Sequence, residues 1–299
     1  MKLNLITAPD RMEFFVGGER CAAYRTGPEN PGFTGIFAPE GRNVTRAVRA
    51  DGLVLWAGHS DVNGVSFGAE PKTENAEPET DSALGRIAPD LAAFRDKYRQ
   101  NIGRIVPTET TARRGSQSIG FQQTRRWLAP DDALILNDVF TVRIFAGPAD
   151  GVIFDMSLEL NAPENAPVTF GPSQESLLQM QAASAFFPMG AGQFRNALGE
   201  YGLTELGGRS AAWLAGIGVV SGQTIGFAWL DHPGNPNHPP AWSVKENGAV
   251  GPSPFGWQRL TLEPNRSVAF RYRLLVHQGY VDQKWADARM TDYIAGSVL

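Results

Sequence analysis

Three stretches of this chain alternate apolar and polar residues with a period of two, and that period constrains the fold class more tightly than any other feature. Leu134, Leu136, Asp138, Phe140, Val142 and Ile144 share one parity, against Ile135, Asn137, Val139, Thr141 and Arg143. Val152, Phe154, Met156, Leu158 and Leu160 oppose Ile153, Asp155, Ser157 and Glu159. Val268, Phe270, Tyr272, Leu274 and Val276 oppose Arg271, Arg273, Leu275 and His277. Successive strand residues point to opposite faces, so these runs describe half-buried antiparallel strands with one face on a core. Asp155, Glu159, Arg271 and Arg273 are expected on the solvent side or, if that face is concave, along a cleft. With Gly 33 and Pro 21 among 299 residues, turns are many and strands short. The expected architecture is all-β: two large antiparallel sheets packed face to face, in one domain over 1–299 with few short helices.

Local signals fill in the chain. Met12 to Tyr24 around Gly17-Gly18 suits an opening hairpin, and Leu53 to Ala57 reads as a buried strand. Asn63-Gly64 marks a tight turn, because both residues tolerate positive φ. A strand persisting to that turn would put His59 and Asp61 on one face. Residues 70–81 carry Glu70, Glu74, Glu77, Glu79 and Asp81 with few apolar neighbours, and are expected to be an exposed acidic segment. Leu91, Phe94 and Tyr98 form a helical stripe, and Asp282 is placed to cap a helix from Gln283 to Ile294 with Ala286, Met290 and Ile294 inward.

Composition excludes several classes of function. The net charge is −4 and there is no basic stripe, so neither nucleic acid nor an anionic membrane surface is an expected partner. No apolar window reaches membrane-spanning length. Cys21, the one cysteine, cannot pair internally and suits a small buried side chain. The opening residues lack an apolar signal region, so cytoplasm is the expected compartment, with a removed export signal left open. Homo-oligomerisation is compatible with the sequence. No phosphate loop, nucleotide fingerprint, Gly-x-Ser-x-Gly elbow or His-Glu-x-x-His motif occurs, and no cofactor is expected.

What remains is a constellation. Between Trp229 and Trp242 lie Asp231, His232, Asn235, Asn237 and His238 among four prolines. Proline fixes φ and removes a donor, so this run is a stiff loop between strands. It joins His59 and Asp61 in holding three of the four histidines. Histidine titrates near neutrality, so His59 or His238 beside Asp61 or Asp231 can serve as general acid or base. The same atoms can ligate a metal, although their spacing is not diagnostic of one, or can merely hydrogen-bond their neighbours. Trp56, Trp229 and Trp242 are either core or flat faces on which a sugar ring stacks.

Trp56 to Phe67 (Trp-Ala-Gly-His-Ser-Asp-Val-Asn-Gly-Val-Ser-Phe) resembles a signature of the bacterial PmoA-like, methane-oxygenase-labelled family. So does Asp231 to Pro239, continued by Trp242, Lys245 and Pro254-Phe255-Gly256. Shorter echoes are Pro39-Glu40-Gly41 with Val44-Thr45-Arg46, Thr169-Phe170-Gly171 with Glu175, and Trp213. The label notwithstanding, the resemblance implies a β-sandwich similar to the galactose-mutarotase supersandwich, from proteins that occur beside carbohydrate-utilisation enzymes. By resemblance, His59, Asp61, Glu175, Asp231, His232 and His238 are the candidate catalytic residues and Asn63 and Lys245 candidate substrate-binding ones; Trp56, Trp242, Asn235 and Arg46 join the latter by residue type, as stacking faces and hydrogen-bonding groups. The chain also departs from that pattern. Asp51-Gly52-Leu53 replaces a His-His-Arg run, Ser243 a histidine, and Lys245, Asn237 and Gln181 arginines; Ala215 replaces an acidic residue. Two expectations follow. One is acid–base chemistry on a small carbohydrate ligand, by a hydrolase, lyase or epimerase. The other is a non-catalytic sugar-binding or structural sandwich that has lost the family's His and Arg groups.

Overall fold

A computed structural model describes residues 1–68, 101–147, 151–173 and 175–296. The acidic segment 70–81 and the stripe of Leu91, Phe94 and Tyr98 lie outside the described residues. Two large antiparallel sheets carry the fold. The first has nine strands, running β1 (Leu3–Thr7), β2 (Arg11–Val16), β3 (Glu19–Arg25), β4 (Gly32–Ala38), β6 (Leu55–Ala57), β12 (Leu178–Gln181), β17 (Ala249–Ser253) and β16 (Ala241–Val244), with β5 (Arg42–Asn43) beside β4. The second has eight, in the order β13 (Gln193–Asn196), β14 (Trp213–Val220), β15 (Gln223–Asp231), β19 (Ser267–Gln278), β10 (Val152–Asn161), β9 (Leu134–Ala146), β8 (Ile119–Leu128) and β7 (Arg104–Arg114). A two-stranded ribbon, β11 (Val168–Phe170) with β18 (Leu260–Leu262), stands apart. The alternation in the sequence is thus the alternation in space, and the all-β sandwich is the fold observed.

Both sheets bury one face in a common core. Phe33 of the first sheet meets Phe154 of the second edge to face at 6.2 Å, and Tyr24 meets Phe121 at 4.2 Å. Large apolar side chains of this kind each contribute about 2–3 kcal/mol by leaving water. Asp138 keeps its inward parity and lies fully buried with Arg125, at 2.7 Å, while the Trp127 indole N–H donates to its other oxygen. A charge in such a place persists only when paired and hydrogen-bonded.

The outer face of the second sheet differs from the expectation of solvent. The C-terminal helix, Gln283–Ile294, begins where predicted, with the Asp282 carboxylate accepting from the Trp285 amide at 2.7 Å. It packs Ala286, Met290 and Tyr293 onto Trp213, Ile217, Leu230 and Leu275. Arg273 is therefore buried, paired with Asp155 at 2.6 Å and stacked on the Tyr293 ring, while Glu159 and Arg271 stay exposed as expected. His277 is buried as well, its ring parallel to that of Trp285 at 4.3 Å. Tyr293, not Ile294, completes the inner stripe; Ile294 is exposed. No helix among the described residues is long and apolar enough to cross a membrane.

Candidate active site

β15 ends in Asp231, and strand parity decides where that carboxyl goes. Ile225, Phe227 and Trp229 face the core, so Asp231 follows them inward, directly opposite Tyr272 on β19. It is 1% exposed. The proline-rich loop then returns over it. His238 Nδ1 lies 2.5 Å from Asp231 Oδ2, and the Asn235 amide donates to Oδ1 at 2.7 Å. Asn235 also donates to the Arg271 carbonyl and accepts from the Arg271 amide, at 2.7 and 2.8 Å, which ties the loop to β19. Burial pushes the Asp231 carboxyl up to about 6, against the bonds from His238 and Asn235, which lower it. An ionised Asp231 accepts only, so the proton of this pair sits on Nδ1 of His238. That leaves Nε2 as the basic ring atom.

His238 lines a cleft of about 300 Å³, with Asn237, Ser253, Phe255, Trp257 and Gln258 among its walls. Trp257 is 72% exposed there, so its indole presents an open apolar face at the cleft. Among the described residues no carboxylate and no Lys or Arg lines this cleft. A larger open groove of about 610 Å³, between Thr7–Met12 and Pro107–Ala112, contains no histidine. Size alone does not make it a reaction site, whereas the smaller cleft holds an imidazole bonded to a buried carboxyl group.

The Trp56–Phe67 motif arrives beside this cleft without opening into it. β6 stops at Ala57, so His59 and Asp61 do not share a strand face. A Cβ on Gly58 would lie 2.3 Å from the Phe67 carbonyl, and that close approach folds the chain inward. His59 is wholly buried between Phe170 and Phe255. Its Nε2 donates to the Gly171 carbonyl at 2.8 Å, leaving Nδ1 buried without a partner. Burial lowers its pKa, opposed by the Gly171 bond and by the charges of Glu175 and Asp61. Phe255 touches the His59 ring and also lines the cleft. The two motifs are neighbours across that ring, but His59 reaches no ligand directly.

Several other predicted site residues are engaged by backbone groups or neighbouring side chains. Asp61 Oδ1 accepts from the Gly64 amide at 3.0 Å, closing the turn. Asn63, at φ 53°, exchanges bonds with Thr169 and donates to the Pro167 carbonyl, so both ends of its amide are engaged. Trp242 is 1% exposed and donates to the Ala211 carbonyl at 2.8 Å. Trp56 is buried beneath the Arg49 guanidinium, 4.5 Å from its ring centre. Neither indole offers a stacking face. His232, next to an inward residue, turns outward onto Tyr293 and accepts from the Gly234 amide. Burial first, then the charges of Arg271 and His238, lower its pKa. Glu175 and Lys245 form a half-exposed pair at 3.6 Å, and Arg46 bonds the Asn247 carbonyl. Among the described residues no group of three or more His, Cys, Asp or Glu side chains gathers in metal-binding geometry, so His59, His232 and His238 do not converge as ligands.

Trp257, Gln258 and Tyr272 were not singled out by sequence. A tryptophan directly after Pro254-Phe255-Gly256, in a turn where Gly256 has φ 33°, was the available signal, since turns hold large indoles at the surface.

A family model described as "Family of unknown function (DUF6807)" matches residues 11–291. The chain belongs to that family. The family's description names no activity and makes no reference to the PmoA-like proteins. No curated protein matches the sequence. Among solved structures, the chain is similar to a galactose 1-epimerase from Lactobacillus acidophilus NCFM, at 8% identity and a TM-score of 0.39, over 93% of this chain and 99% of that one.

Proposed function

We propose that this member of the DUF6807 family acts on a sugar or small glycoside by proton transfer, with His238 as the base or acid. The observation that carries this reading is the 2.5 Å bond between His238 and the buried Asp231, at the wall of a cleft bordered by an exposed tryptophan. Asp231 and Asn235 fix the ring, so Nε2 meets the ligand in one tautomer and one orientation. Trp257 supplies the apolar face against which a sugar's C–H groups pack, and Gln258 the amide for its hydroxyls. Glycoside hydrolysis ordinarily uses two carboxyl groups flanking the scissile bond. Among the described residues the cleft has none on its walls. Epimerisation or elimination, which a single imidazole can begin by taking a proton, fits better than hydrolysis.

With His238 the one ionisable side chain among the described residues of the cleft, a competing reading is that the cleft holds a sugar without converting it. One experiment separates the two. The protein and its His238→Ala variant are incubated with a panel of plant and algal mono- and oligosaccharides, and products are followed by mass spectrometry and NMR. Conversion by the wild type that the variant lacks supports catalysis at His238. Binding with no conversion across the panel supports the binding module, and conversion untouched by the variant removes His238 from the chemistry.

A further inference from the structure

Charge is conspicuous by its placement around this cleft. Among the described residues of its walls, His238 is the one with an ionisable side chain; Ser210, Asn237, Phe255, Trp257 and Gln258 are uncharged. One hydrogen bond behind the imidazole stands an acid, Asp231. Arg259 follows Gln258 in the chain but does not line the cleft. Glu175 and Lys245, which neutralise one another, and Arg46, whose guanidinium bonds a backbone carbonyl, are likewise absent from its walls.

A phosphate or carboxylate brought here would lose water without gaining the fork of an arginine, a lysine ammonium or a helix N-terminus. It would also approach a site whose own buried group is an acid. A neutral ring loses only hydroxyl hydration, which Gln258 and Ser210 can replace, while Trp257 covers its C–H face. Two of the other polar groups already donate to backbone. The Asn237 amide donates to the Pro254 carbonyl at 3.0 Å, and the single proton of the Ser253 hydroxyl is shared between the Ser173 and Glu175 carbonyls. Recognition therefore rests on few hydrogen bonds and one aromatic face, the signature of a small ring rather than a long chain.

We infer that the His238–Trp257 cleft selects an uncharged monosaccharide unit and rejects sugar phosphates and uronic acids. This rests on the sugar reading above and adds to it a substrate class. The test measures binding of glucose, galactose and xylose against glucose 6-phosphate, galactose 6-phosphate and glucuronate, by ligand-detected NMR and calorimetry at pH 7.5 on the full chain. The neutral sugars should bind at least tenfold more tightly than their anionic counterparts. Trp257→Ala should weaken them at least tenfold without loss of the circular dichroism spectrum, and Gln258→Ala should weaken them to a smaller degree. Anionic sugars binding as well as neutral ones, above all if Arg259→Ala abolishes that binding, would overturn the selectivity while leaving sugar chemistry at His238 standing. If the folded protein bound no member of the panel, or bound neutral sugars with no effect of Trp257→Ala, the sugar reading of this cleft would fall and the inference with it.

Discussion

Replacing Asp231 with asparagine separates the two things this carboxyl does. The group is 1% exposed, and burial raises its pKa from 3.8 to about 6. Between those values the folded protein holds a proton that the unfolded chain has released. Stability from this group is therefore highest below about pH 4 and falls as pH rises through 6. One pKa unit is worth about 1.4 kcal/mol, so a gap of roughly two units amounts to about 3 kcal/mol lost between about pH 4 and pH 7. Asparagine has no proton to lose. In urea denaturation across that range, the wild type should decline by about 3 kcal/mol relative to Asp231→Asn, with the two nearest at the acid end. Activity should move the other way. Asparagine offers one oxygen to two donors, Asn235 and His238, so its NH₂ meets one of them and the imidazole no longer keeps its proton on Nδ1. A base held in the wrong tautomer loses roughly 10²- to 10⁴-fold in turnover. Parallel stability profiles for the two proteins between about pH 4 and pH 7 would refute the buried, proton-holding carboxyl, and with it the electrostatics assigned to the dyad.

Three further outcomes are expected. Asn235→Ala removes partners of Asp231 and of both Arg271 backbone groups, and should lower stability by about 2–3 kcal/mol in thermal melts while loosening the His238 loop. Asp138→Asn leaves the Arg125 guanidinium buried without its counter-ion and should cost about 3–5 kcal/mol in urea, whereas a double variant with Arg125→Met should recover much of that loss. Burial lowers the His277 pKa below its ordinary value, so its contribution to stability is present above about 6.5 and lost as pH falls. His277→Phe, which keeps the ring against Trp285, should flatten that acid-side decline in calorimetry.

Much of this molecule is legible in its residues. β9, β10 and β19 could be read because each has one face in the common core, and a period of two survives wherever one face alone is buried. The Asn63-Gly64 turn and the Asp282 cap were visible because their geometry is local, set by positive φ and by one side chain reaching its own helix. The burial of Arg273 and His277 was not visible. It depends on a helix returning over a face that strand parity alone assigns to solvent. The site was read in half. Asp231, Asn235 and His238 meet as their crowding in one stiff loop suggested, whereas His59 is sealed by the contact of Gly58 with Phe67, which no spacing records. Trp56 and Trp242 are buried in the sheet, whereas Trp257 exposes in a turn the kind of face that they bury.

The placement of Asp231 on the last position of β15, paired with Tyr272, ties reactivity to assembly. Were β15 to slip by a single residue against β19, the acid would swing to the helix side with the rest of its face and the imidazole would lose its anchor. A chain that has collapsed with the wrong alignment would thus look compact yet lack the Asp231–His238 pair, and recovery of that pair, read from the imidazole's NMR signals, would mark correct strand alignment during refolding.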